Sequence, residues 1–291
     1  MYYGNFFREL RNEKRMSIIE VSEGILSVGQ LSKFERGLND VSLSKFVKLL
    51  NRINITLEEF DLLCNNYEKS NLQQLVKQIR KAYTNRDTEE LLRLSNEEYS
   101  KWQQTGNINN RYNYLMISIM NDELNDCKTV KDEDVELLTD YLFAIDDWTY
   151  YEIVLFGNSI SAIPIQTVII LSEEISRKTK FFQSNNEHRK MIIHILLNAN
   201  LICLLNDKID QSYQFQQEID QLINSQTYLY EKNLLMYSEG LYLLKINKIA
   251  EGTKKVNRAL EICRELESFK LADSYMTYFN EIMASISEGQ E

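Results

Sequence analysis

The chain has 291 residues, 44% hydrophobic and 26% charged, enough for one long or two ordinary globular domains. One proline and nine glycines leave too few turn residues for a strand-rich fold, so an all-α protein is expected. The formal net charge of −10 argues against nucleic acid for the chain as a whole. Residues 1–60, however, hold nine Lys/Arg against eight Asp/Glu, so the acidity lies in the remainder and only the head suits a phosphate partner.

Five short helices are predicted in the head, residues 1–64. In YGNFFRELRNEK, Phe6, Phe7 and Leu10 fall on one stripe. SIIEVSEG opens on Ser17 as N-cap, with Glu20 three residues on as capping-box partner. In LSVGQLSKFERG, Ser27 caps, Leu31 and Phe34 face inward and Gly37 ends the helix. SLSKFVKLLNRI starts at Ser42 and is expected to bury Leu43, Val47 and Leu50. TLEEFDLL starts at Thr56, with Glu59 closing another capping box.

A short helix, a tight joint and a second capped helix make a helix-turn-helix. The run LRNEKRMSIIEVSEGILSVGQLSKFERGLNDVSLSKFVKLLNRINITLEEF resembles the helix-turn-helix head of the Rgg/GadR/MutR transcription regulators, within the Cro/repressor-like class. It departs from the broad class at Ile18, Gly24 and Gly29. The first turn of a recognition helix points into the major groove, which nominates Ser27, Val28, Gln30 and Lys33 for the bases of a double-stranded operator. The amide of Gln30 suits an adenine edge, and it equally suits a capping partner of Ser27. Arg11, Lys14, Arg15 and Arg36, with Lys45 and Lys48, are candidates for phosphates. The resemblance further implies that Glu35 pairs with Arg11.

Residues 65–291 read as successive longer helices joined at TNRD, QTGNINN, KTVKDED, NSISAIP, SNNE, NDKID and NSQT, with Pro164 where a helix begins. NLICLLNDKIDQSYQFQQEI (200–219) aligns without gaps on GLYLLKINKIAEGTKKVNRA (240–259), matching Leu204 to Leu244, Lys208 to Lys248 and Ser212 to Gly252. Gly240, Gly252 and Ala259 recur at the spacings of small residues in tetratricopeptide repeats. The expected fold is therefore an N-terminal Cro/repressor-like bundle followed by a right-handed stack of tetratricopeptide-like helical hairpins.

DDWTYYEIVLFGNSI (146–160) resembles a second run of the same regulators. The resemblance implies a cytoplasmic homodimer whose repeat domain binds a short signalling peptide, with RNA polymerase as a further candidate partner. Asparagine can clamp a peptide backbone through one acceptor and two donors. Asn158, Asn198, Asn200 and Asn233 are the candidates, with Tyr151 and Tyr237 as groove walls.

No apolar run reaches a membrane-spanning length, and MYYGNFFREL carries charge too early for a secretory leader. Four scattered cysteines and two histidines form no zinc or disulfide pattern, and no glycine-rich phosphate loop stands out, so neither metal, cofactor nor catalysis is expected. The alternative to a peptide-controlled regulator is a helical-repeat interaction scaffold with an autoregulatory DNA-binding head.

Overall fold

The computed structural model describes residues 3–64, 71–179, 186–223 and 228–288, and the described elements are all helical. The chain divides into two compact units, residues 1–80 and 81–291.

The first unit holds α1 (Tyr3–Glu13), α2 (Ile18–Ser22), α3 (Val28–Glu35), α4 (Leu43–Arg52) and α5 (Leu57–Cys64). Three of these starts are written locally. Ser17 with Glu20, Ser27 with Gln30 and Thr56 with Glu59 each form a reciprocal capping box. The core is built on phenylalanine: Phe46 meets Phe7, Phe34 and Phe60 edge-on, with ring centroids 4.9–6.0 Å apart. The buried stripe of α4 is Phe46, Leu49 and Leu50, continued by Ile53; Leu50 is buried as expected, while the expected Leu43 and Val47 are corrected to Phe46 and Leu49. Leu43 is in phase but lies in the first turn and is 65% exposed; Val47 sits at the edge of the stripe and is half-buried. Gly4 is required where α1 meets the end of α3, since a Cβ there would lie 1.8 Å from the Phe34 carbonyl oxygen.

In the second unit, α7 (Thr88–Thr105), α8 (Ile108–Asn125), α9 (Asp132–Ala144), α10 (Tyr150–Ser159), α11 (Ile165–Lys178), α12 (Asn186–Leu205), α13 (Ile209–Leu222), α14 (Leu229–Lys245), α15 (Ile249–Glu265) and α16 (Phe269–Glu288) follow α6 (Asn71–Thr84), within which the division falls. Three hairpins are closely packed, α7/α8, α12/α13 and α14/α15, and α8, α10, α12, α14 and α16 pack in series. Most of the expected joints lie between these helices; NSQT and the first two residues of SNNE lie outside the described residues.

The hairpins turn with little glycine. Arg86, Asp207, Asn247 and Glu267 take left-handed φ of 54–63° in four of the joints. The residue after each donates to the carbonyl five residues back, as in Lys208 to Cys203 (2.8 Å) and Lys248 to Leu243 (2.9 Å). These last two joints fall at the same 40-residue offset that aligns the sequences.

Buried Trp148 fixes the start of α10. Its indole N–H donates to the Leu142 carbonyl, and its backbone N–H donates to the Lys178 carbonyl. Fully buried Lys178 donates in turn to the carbonyls of Leu142, Phe143 and Ile145 at the end of α9. A cation there satisfies acceptors that a helix end leaves open.

Candidate nucleic-acid interface and peptide site

The helix-turn-helix is α2 and α3. Ser27 has the extended conformation of an N-cap; its hydroxyl accepts from the Gln30 N–H, and the Gln30 Oε1 accepts from the Ser27 N–H, both at 3.2 Å. With that box closed, the Gln30 side chain has its amide donors left to offer outward. Val28, Gly29, Gln30, Lys33 and Arg36 form an exposed side of α3, while Leu31, Phe34 and Glu35 are buried. Lys14 and Arg15 are exposed in the joint before α2, and Lys45 and Lys48 are exposed on α4.

Arg11 is different. It is 7% exposed, gives Nε and Nη2 to the two Glu35 carboxylate oxygens at 2.7 and 2.9 Å, and gives Nη1 to the Met16 carbonyl at 2.7 Å. The guanidinium is thereby committed inside the bundle, which corrects its assignment to phosphate and matches the pairing with Glu35. A bidentate buried pair of this kind fixes how α1 sits on α3 more than it adds net stability.

Arg52 was not among the candidates. It donates to the Glu20 carbonyl at 2.8 Å and the Glu23 carbonyl at 3.1 Å, tying the end of α2 to the end of α4. The partners lie about thirty positions apart, so no local pattern signals them. At the starts of α2 and α5, hydrogen bonds from Ser17 and from Thr56 hold the carboxyls of Glu20 and Glu59 below the usual range.

The six peptide candidates separate by burial. Asn198 is exposed; Asn158 is half-buried and donates to the Val154 carbonyl at 2.7 Å; Tyr151 is half-buried, and its hydroxyl donates to the Asn109 carbonyl at 3.2 Å. Burial raises the Tyr151 phenol well above its usual range. The other three are interior. Asn200 is fully buried; it accepts from the Ser212 hydroxyl at 2.5 Å and donates to the Ser238 hydroxyl, joining α12, α13 and α14. Asn233 donates to the Ala259 carbonyl at 3.2 Å, and Tyr237 donates to the Tyr275 carbonyl at 2.6 Å while stacking on its ring. Periodicity could not distinguish these amides from surface ones, because a buried amide is chosen by what faces it across the helix pair.

Among the described residues, no group of three or more His, Cys, Asp or Glu could hold a metal ion, and no helix is long and apolar enough to cross a membrane.

Residues 92–277 match the family model of the HTH-type transcriptional regulator Rgg, C-terminal domain, and residues 7–60 match a helix-turn-helix model. Over its whole length the chain is similar to the crystal structure of the SHP pheromone receptor Rgg2 of Streptococcus dysgalactiae, with 28% identity and a TM-score of 0.82, covering 96% of this chain and 99% of that one. A candidate transcriptional regulator from Listeria monocytogenes EGD-e shares the fold at 19% identity and a TM-score of 0.84, with 98% of each chain covered. The PrgX/cCF10 complex shares it at 14% identity and a TM-score of 0.70, covering 97% of this chain and 100% of that one.

Proposed function

The chain belongs to the Rgg family of helix-turn-helix transcription regulators, and from that premise we propose that it is a quorum-sensing regulator controlled by a short signalling peptide. What carries the reading is the union, in one chain, of a capped helix-turn-helix with an Rgg C-terminal domain whose structural relative is a pheromone receptor. The functional parts are residues 1–64 for DNA and residues 65–291, read as tetratricopeptide-like, for peptide and dimer contacts. The protein works in the cytoplasm, without a cofactor and without catalysis.

The DNA-binding residues are Ser27, Val28, Gln30 and Lys33 toward the bases, and Lys14, Arg15 and Arg36 toward phosphates. One such head buries little surface, so a homodimer reading two half-sites about one helical turn apart supplies useful affinity. Peptide contacts fall to Tyr151, Asn158 and Asn198, which keep solvent access, while Asn200, Asn233 and Tyr237 hold helices together. Control requires that the peptide bind two states of the dimer with different affinity, one of them better suited to DNA or to RNA polymerase.

The test uses the full chain with duplexes selected from a random pool, and with short peptides encoded beside its gene. Binding should weaken steeply with salt, and one peptide should shift either duplex affinity or transcription in vitro. Arg15→Ala should weaken all duplexes alike and lower the salt slope by about one. A chain that sediments as a monomer at micromolar concentration and selects no duplex, yet captures a folded protein, would favour the scaffold reading.

A further inference from the structure

Gly29 is a residue the protein itself does not need as glycine. It stands in the first turn of α3, exposed, in ordinary helical conformation rather than with positive φ. A Cβ built on it meets nothing within 4 Å. Gly4, Gly240 and Gly252 each have a backbone atom closer than 3 Å to that position, and Gly24, Gly37 and Gly106 have positive φ. Gly29 has neither reason, and glycine inside a helix is less stable than alanine. Beside it, Val28 is 43% exposed and is a β-branched residue with weak helix preference. The outward side of α3 thus begins with an isopropyl group, then a vacancy, then the Gln30 amide donors, then the Lys33 ammonium.

We propose that Val28 and Gly29 form an apolar reading element for a thymine: Val28 packs on the 5-methyl group, and the missing side chain at Gly29 lets the base edge approach the helix backbone. The major groove is where that methyl is displayed, and apolar contact is how it is recognised. The neighbouring Gln30, with its acceptor held in the Ser27 cap, meets acceptor edges through its amide donors. This inference rests on the DNA-reading role proposed for α3. It adds Gly29 to that role and assigns a base chemistry to Val28.

The experiment takes the full chain and the duplex it enriches from a random pool, then replaces each thymine singly by uracil, which removes only the methyl. The parent should lose about tenfold in affinity at one thymine per half-site, the low end expected for one base-pair contact. Val28→Ala should bind the normal duplex about tenfold more weakly and become indifferent to that uracil. Gly29→Ala should melt no lower than the parent yet bind the duplex at least tenfold more weakly. Unchanged affinity in folded Gly29→Ala, or a parent indifferent to uracil at every position, overturns the inference and leaves the regulator reading standing. A parent chain that enriches no duplex overturns both.

Discussion

Hairpins α12/α13 and α14/α15 are the same structure made twice with opposite chemistry at the crossing. In α14/α15 the helices touch through Gly240 and Gly252; a Cβ on Gly252 would lie 2.8 Å from the Gly240 carbonyl oxygen. At the positions 40 residues earlier stand Asn200 and Ser212, hydrogen-bonded at 2.5 Å and extended by Asn200 to Ser238 on the next hairpin. One crossing is close because nothing stands in the way. The other is held by a buried polar pair that must stay satisfied. Hairpin α7/α8 adds a third solution, with buried Glu98 accepting from Asn110 and Asn113 at 2.8 Å each and from Lys101 at 2.5 Å. A repeat can keep its geometry while its residues change, provided each crossing meets either a steric or a hydrogen-bonding condition.

The glycine crossing should be the least forgiving. Gly252→Ala drives a methyl into backbone on the facing helix and should cost about 3 kcal/mol, the upper part of the overpacking range. Calorimetry of the full chain would show it as a lowered transition for residues 81–291, and an unchanged transition would mean that the helices can slide apart cheaply. Next comes Asn200→Ala, which strands the Ser212 hydroxyl, leaves Ser238 only its 3.4 Å contact from Gln216 and should cost about 2 kcal/mol. Since Asn200 is fully buried, the loss should appear as stability with peptide affinity kept once the protein is folded. Lost peptide binding at full stability would return Asn200 to the groove.

The charged crossing alone should respond to acid through its own ligand set. Burial pushes the Glu98 carboxyl up, but the hydrogen bonds from Lys101, Asn113 and Asn110 outweigh it and leave the pKa below the usual 4.5. A carboxylate with a lowered folded pKa contributes stability above its unfolded pKa and loses it as pH falls through the folded one. Stability of the second unit should therefore fall as pH drops below about 4.5, with Glu98 contributing to the loss. Asp122 and Glu152, also lowered despite burial, add to the same slope. In denaturant titrations at several pH values, Glu98→Gln should flatten the slope; an identical slope would remove Glu98 as its source.

The smallest effect should lie in the joints. Glu267 takes a left-handed φ of 56°, a region that Asp and Asn, the residue types at 207 and 247, enter more readily than Glu. Glu267→Gly should stabilise by about 0.5 kcal/mol, with Asn247→Gly close to neutral. Equal effects at both joints would show that residue type does not matter there.

Local structure was set within a few residues of sequence. Capping boxes at Ser17, Ser27 and Thr56, the inward stripe of Leu31 and Phe34, and the joint around Asp207 depend on partners three to five positions away, so they could be read directly. The motifs around them were specific enough to indicate the family. What faces what was decided only by the tertiary structure. Leu43, Val47 and Leu50 satisfy helical spacing as well as Phe46, Leu49 and Leu50 do, and the phenylalanine cluster centres the buried face on the second set. Asn200 and Asn198 stand two positions apart on one helix; one is fully buried against Ser212 and Ser238 and the other is exposed. Arg11 and Lys178 carry charge, but acceptors many positions away turn each of them from a solvent-facing cation into a buried structural tie; Arg52 makes such a tie while staying exposed. The capping partners are fixed by the chain's own covalent geometry. The long-range partners exist only once helices have packed, because burial makes an unpaired polar group costly and so selects who must meet whom.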